Sequence, residues 1–180
     1  MRHRGIRVDL SRAEEMNTTY HIVEDSLENE IHKLIGFPCN PWSPDDLAIA
    51  FDQLGISYPM TEKGNPSFEG EWLETVGEHH PFPALVREYR KTNKMRRDFI
   101  EGGVLKWEIN GRVHAQIHGL RRDDYGTRSG RLSYSNPNLQ QVPSRDPVWG
   151  PRIRSLYLPE EGEGKPISLC ISFSSESSTI

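Results

Sequence analysis

Cysteine is nearly absent from the 180 residues: Cys39 and Cys170 stand alone and far apart, which excludes a disulfide framework and a cysteine-based zinc cluster. Both read as small apolar residues. Long hydrophobic runs are missing too. No stretch approaches the roughly 18 apolar residues of a membrane span, and the basic start Met1-Arg2-His3-Arg4 leads into no apolar signal core. A soluble, cytoplasmic protein with no membrane partner is therefore expected. Histidine comes without company: His114 and His118 would share one face of a strand, but no cysteine or carboxylate pair stands beside them to complete a metal site. Hydrophobic content is a modest 34%, yet charge is ordinary, so wholesale disorder is excluded. The length suits one domain with a core, or a small helical domain joined to part of a second. No internal repeat is evident.

Acidic residues outnumber basic ones by 26 to 22, but they are scarce in one place. Between Arg87 and Arg131 stand 12 basic and 6 acidic residues, leaving 10 basic and 20 acidic elsewhere. From Thr127 to Arg145 there is no acid at all. A local basic patch, and not the whole-chain total, is what attracts a polyanion.

Hydrophobic periodicity predicts a helix from Asp9 to Ile35, with Ser11 and Glu14 as its capping box and Met16, Tyr20, Val23, Leu27, Ile31 and Leu34 as its apolar stripe. Gly36 and Pro38 end it. Ser43 followed by Pro44 starts a short helix bearing Leu47, Ala50, Phe51 and Leu54, closed by Gly55. Ser67 is expected to cap another, with Trp72, Leu73 and Val76, and Pro81 opens a long helix running to Phe99 and Ile100. On that helix Arg87, Arg90, Lys91, Lys94 and Arg97 fall at steps of mostly three and four, with Glu88 the sole acid before Asp98. A solvated face explains such a stripe; so does a phosphate-facing one, with Lys94, Arg96 and Arg97 near the tip as leading contacts. From Gly102 the period shifts towards two, and Val104 to Ile109 and Arg112 to His118 flank Asn110-Gly111, a strong hairpin signal.

The acid-free segment follows. Arg131 and Arg145 bracket Asn138, Gln140 and Gln141, all hydrogen-bond donors. Ser, Asn and Pro clusters ordinarily make turns in solvent. A duplex minor groove also fits them, because every base pair presents acceptors there whatever its sequence. Ser129-Gly130-Arg131-Leu132-Ser133, then Ser135-Asn136-Pro137-Asn138-Leu139-Gln140-Gln141-Val142-Pro143, then Ile153-Arg154-Ser155-Leu156-Tyr157-Leu158-Pro159-Glu160-Glu161-Gly162 resembles the opening of the palm in family A DNA polymerases of the bacterial polymerase I and phage replicative branches. Arg4-Gly5-Ile6-Arg7-Val8-Asp9, Ser43-Pro44-Asp45-Asp46-Leu47, Glu88-Tyr89-Arg90-Lys91 and Gly111-Arg112-Val113-His114 fall in the family's thumb-to-palm order.

The resemblance implies an α+β fold: a helical thumb-like region over residues 1–102, then the start of a palm over 103–162, built on a small antiparallel hairpin or sheet and incomplete as a domain. Residues 163–180 form a serine-rich tail of different composition. It implies a primer-template DNA duplex as partner, in replication or repair, in a bacterial or phage-infected cell. DNA-contacting residues would be Lys91, Lys94, Arg96, Arg97, Thr127, Arg128, Arg131, Ser133, Asn138, Gln140, Gln141 and Arg145, with Arg131 in the minor groove at the primer end and Arg145 nearer the template or nucleotide. Gln141 stands where bacterial relatives commonly have Asn, and Tyr134 where a small residue is usual.

Two-metal phosphoryl transfer needs paired carboxylates to hold two magnesium ions. By family order the first metal-binding Asp should follow Pro159-Glu160-Glu161-Gly162, just ahead of an aromatic and a serine; aligning Phe173-Ser174 with that pair puts Ser172 in its place, and the last Asp of the chain is Asp146. A hydroxyl is a poor ligand for a hard divalent cation. The expectation is that this chain has no catalytic or metal-binding residue and no polymerase activity by itself, magnesium entering only in a complete polymerase. Truncation, a frameshift or an interrupted gene would each account for such an ending. A non-catalytic DNA-binding module, or a split subunit completed by a separate palm and fingers chain, is the alternative, and RNA binding through the basic stripe a third.

Overall fold

A computed structural model describes residues 4–118 and 132–160. The chain divides into two compact units, one made of Met1–Asn17 with Met95–Ile180 and the other of Thr18–Lys94. The former is discontinuous, an arrangement that composition along a chain does not reveal.

Helix α1 spans Leu10–Ile35. Its cap is Asp9, whose carboxylate accepts from the Arg12 amide at 3.1 Å, so the expected capping box of Ser11 and Glu14 lies two residues too far on. The expected apolar stripe is also rotated. Val23 and Leu34 are exposed, whereas Ala13, Glu24, Ile31 and Ile35 are buried. Glu24 is only 4% exposed and can sit inward because Asn93 donates to it at 3.0 Å; a buried carboxylate is tolerated when its oxygens are bonded. Hydropathy alone assigns Glu24 to solvent. Gly36, with φ +83°, ends the helix as expected.

In the unit Thr18–Lys94, helix α2 (Pro44–Gln53) starts from Ser43, whose hydroxyl accepts from the Asp46 amide. Helix α3 (Gly70–Gly77) has Glu69 at its N-cap without a side-chain bond, in place of the expected Ser67. Helix α4 covers Pro81–Lys94. Together they close on an aromatic core: Phe51 stacks on Phe68 with centroids 5.0 Å apart and meets Phe82 edge-on at the same distance. Leu47, Leu73 and Val86 complete it, with Ile31 and Ile35 from α1.

After Lys94 the long expected helix becomes a π segment, Met95–Leu105. Gly102 permits the wide turn, since a Cβ there would stand 2.9 Å from the Arg97 carbonyl. Val104 and Leu105 are therefore helical, and the expected first strand shrinks to β2 (Glu108–Ile109). Asn110 and Gly111 both take positive φ, 53° and 75°, as a two-residue hairpin turn requires, leading into β3 (Arg112–Val113).

Strand β1 (Ile6–Arg7) pairs antiparallel with β3, giving the order β1-β3-β2. The chain leaves that sheet at His114, and β4 (Gln116–His118) pairs instead with β5 (Ser133–Ser135). His114 therefore lies in the connection between β3 and β4 and His118 on β4, so the two are not on one strand as expected. Beyond β5 come a single 3₁₀ turn, Leu139–Gln141, and helix α5, Trp149–Arg154. Ile6, Val8, Ala13, Ile100, Val104, Val113, Ala115, Leu139, Val142, Trp149, Ile153, Leu156 and Tyr157 are the buried apolar residues of this unit.

Candidate nucleic-acid interface

The donor-rich segment alternates between anchors and outward groups. Pro137, Leu139 and Val142 are buried, while Asn138, Gln140, Gln141 and Arg145 are exposed. Asn138 caps the 3₁₀ turn, its Oδ1 accepting from the Gln140 amide at 3.1 Å, which leaves the Asn138 NH₂ as the outward group. Gln140 commits one amide hydrogen to the Leu132 carbonyl at 2.8 Å and keeps the second. The turn thus holds three amide side chains on its outer side with their backbone fixed from beneath. Beside it, β5 carries Ser133, half-buried and opposite His118 in the ribbon register. His118 Nε2 and the Ser135 hydroxyl are 2.7 Å apart and tie the ribbon together.

The loop after the turn is fixed by Asp146, whose Oδ1 accepts from the Val148 and Trp149 amides at 2.9 and 2.8 Å. Gly150 then packs close: a Cβ there would meet the Pro143 and Ser144 carbonyls at 3.4 and 3.5 Å. These contacts hold the segment that presents Arg145. Thr127, Arg128 and Arg131 lie outside the described residues.

The basic residues of the long helix separate into distinct roles. Arg87 pairs with Glu74 of α3 at 2.6 Å. Arg90 turns inward, donating to the Pro41 and Phe68 carbonyls at 2.7 and 2.6 Å with its guanidinium over the Trp42 ring; burial lowers its pKa. The counter-charge and acceptors come from elements distant in sequence, which is why the stripe looked uncompensated along the helix. Lys91 is half-buried on α4 and Lys94 exposed. In the other unit Arg97 is exposed, whereas the Arg96 side chain is only 12% exposed and reaches Glu101 at 3.2 Å and Asn17 at 3.3 Å.

A third arginine set braces the start of the chain. Arg112 grips Glu160 through both carboxylate oxygens, at 2.8 and 3.0 Å, and Arg4 joins at 3.3 Å. The bidentate Arg112 bond first, then the surrounding positive charge, hold the Glu160 carboxyl below its ordinary range. Tyr157 is pushed up to about 12 by burial.

Among the described residues no three His, Cys, Asp or Glu side chains group so as to hold a metal. The magnesium ions of a two-metal centre therefore have no fitting ligand set there, and no chemical step is assigned to them. No described helix is long and apolar enough to cross a membrane.

Helices joined to short antiparallel ribbons, as found in this chain, match part of a solved polymerase domain. The family model for DNA polymerase family A matches residues 11–173. A DNA-directed DNA polymerase of Pseudomonas phage M6 is 34% identical over 176 residues, 91% of this chain and 26% of the relative. The thermostable DNA polymerase I of Thermus thermophilus is also 34% identical, over 88% of this chain and 19% of its own length. Among solved structures, the POL domain of Pol1 from M. smegmatis, in complex with DNA primer-template and dNTP, aligns with a TM-score of 0.75 at 27% identity, covering 88% of this chain and 27% of that one. The chain belongs to DNA polymerase family A, and it spans about a quarter or less of the length of these relatives.

Proposed function

We propose that this segment binds a primer-template DNA duplex, its amide and guanidinium groups facing the minor groove and its lysines and arginines the phosphates. The observation that carries the reading is the turn at 138–141: Asn138, Gln140 and Gln141 point outward from buried Pro137, Leu139 and Val142. Minor-groove acceptors are common to all base pairs, so such donors sense pairing while tolerating sequence. Arg131 is assigned to the groove at the primer end, with Ser133, Thr127 and Arg128 alongside; Arg145 takes the template or nucleotide side. Lys91, Lys94, Arg96 and Arg97 are assigned to the phosphates, Lys94 and Arg97 foremost because they are exposed. Support comes also from the solved relative that holds a primer-template. A complete polymerase would add the carboxylates for two magnesium ions, on a further palm and fingers portion that can be sought as a separate chain by co-purification.

The test is a titration of labelled primer-template against the chain and variants. Arg131→Ala should weaken binding by about 1–3 kcal/mol if its contact is bidentate, and replacing Asn138, Gln140 and Gln141 together by Ala should weaken it further. A charge-preserving scramble of residues 131–145 that binds as firmly as the parent overturns the reading.

A further inference from the structure

Eight asparagines stand in the chain, and only Asn110 is followed by glycine. Three others, Asn40, Asn65 and Asn136, precede proline, whose nitrogen carries no hydrogen and cannot act as a nucleophile. Asn17, Asn93 and Asn138 have their side chains bonded to Arg96, Glu24 and the Gln140 amide, and Asn29 precedes a glutamate inside α1. Asn110 differs on each count. It is exposed in the hairpin turn between β2 and β3, and its side chain makes no hydrogen bond among the described residues. A Cβ on Gly111 would meet nothing within 4 Å, so the peptide between the two residues stands in open space.

A base already touches the nitrogen that would react. The Gly111 N–H donates to Oε1 of Glu108, and the turn, with Asn110 and Gly111 both at positive φ, holds that carboxylate in place. An amide nitrogen is a poor nucleophile while it keeps its proton; a carboxylate within hydrogen-bond reach can accept that proton as a new bond forms. The nearest electrophile is the side-chain amide carbon of Asn110. It belongs to the adjoining residue, so attack closes a small ring and needs no second molecule.

We propose that Asn110 is a self-modification site, in which the Gly111 nitrogen, deprotonated by Glu108, displaces ammonia from the Asn110 side chain and water then opens the ring. In the first step the bond from Gly111 N to Asn110 Cγ forms and the Cγ–Nδ2 bond breaks. Glu108 takes the Gly111 proton and passes it to the departing nitrogen, which leaves as ammonia. Water next adds across either carbonyl–nitrogen bond of the succinimide, leaving an ordinary aspartate or an isoaspartate whose main chain runs through Cγ. Nothing is oxidised or reduced, and Glu108 is restored. Either product sets a second negative charge beside Glu108. The isoaspartate also lengthens the main chain of a turn whose Gly111 carbonyl accepts from the Val8 amide at 3.0 Å, so the anchorage of the chain start should loosen.

The full chain is incubated at neutral pH, folded and separately unfolded in guanidinium, as the parent and as Glu108→Gln. Digests are followed by mass spectrometry for the exchange of NH for O, with aspartate and isoaspartate peptides separated by chromatography. In the folded parent Asn110 should be the first asparagine lost, and lost faster than in the unfolded chain, because only the hairpin holds the carboxylate on the N–H. Glu108→Gln keeps an acceptor for the Gly111 amide but no base. It should melt with the parent and convert at least about tenfold more slowly. The purified isoaspartate form should melt below the parent. An Asn110 that survives in the folded parent while the unfolded chain loses it means that the hairpin protects the amide, and overturns the proposal. Conversion of Glu108→Gln at the parent's rate or faster removes the base from the reaction and overturns it as well.

Discussion

Arg90 shows how much one side chain can hold. It donates to two carbonyls from separate segments, Pro41 and Phe68, and covers Trp42, so Arg90→Ala leaves two acceptors bare and removes a packed stem. A loss of about 3 kcal/mol is expected from chemical denaturation; a loss below about 1 kcal/mol would mean water replaces both bonds. Gly5 is constrained differently. Its φ is +68° and a Cβ would stand 2.8 Å from the His114 ring, so Gly5→Ala combines left-handed strain with a clash and should cost at least 1–2 kcal/mol. Tyr157 and Cys39 contribute on the alkaline side. Burial raises Cys39 from 9.0 to about 11 and Tyr157 from 10.0 to about 12. Both folded values lie above the unfolded ones, so the stability they contribute is whole below about pH 9 and is lost as pH climbs to 12. Thermal melts should fall across that window, and Cys39→Ala should blunt the lower part of the fall.

At the level of elements, the Glu160 carboxylate joins three pieces: β3 through Arg112, the start of the chain through Arg4, and the stretch after α5 on which it sits. Its folded pKa is depressed, so its contribution is present above the ordinary carboxylate range and disappears as pH falls through the lower folded value. Glu160→Gln should remove that acid-side dependence from melting curves; an unchanged acid limb would assign it to other carboxylates. Helices were legible from sequence wherever local rules decide: Ser43-Pro44 start α2 and Gly36 closes α1, because caps and breakers act within a few residues. The rest depended on partners distant in the chain. Asn93 makes room for Glu24 and rotates the buried face of α1; Gly102 lets the helix widen through Leu105 where alternation suggested a strand. The amide cluster was legible as a composition, but its outward direction follows from buried Leu139 and Val142.

For the molecule as a whole, the net charge of −4 argues against binding a polyanion, and the distribution of charge argues for it. Arg87 and Arg90 are consumed internally and Arg96 is held by Glu101 and Asn17, so the exposed Lys94, Arg97 and Arg145 are the cations best placed for phosphates, with half-buried Lys91 beside Lys94 on the helix. Neutralising about four phosphates gives a log–log salt slope near −3.6, so affinity for duplex DNA should fall roughly 150-fold between 50 and 200 mM salt. Minor-groove sensing adds a second requirement, since donors aimed at universal acceptors should bind duplexes of unrelated sequence alike. A-form RNA presents a wide, shallow minor groove lined with 2′-hydroxyls, so an RNA duplex of the same length should bind more weakly at equal salt. Equal affinity for the two duplexes with the full salt slope would leave the phosphate contacts intact and remove the groove from the account; a flat salt response would remove the phosphates.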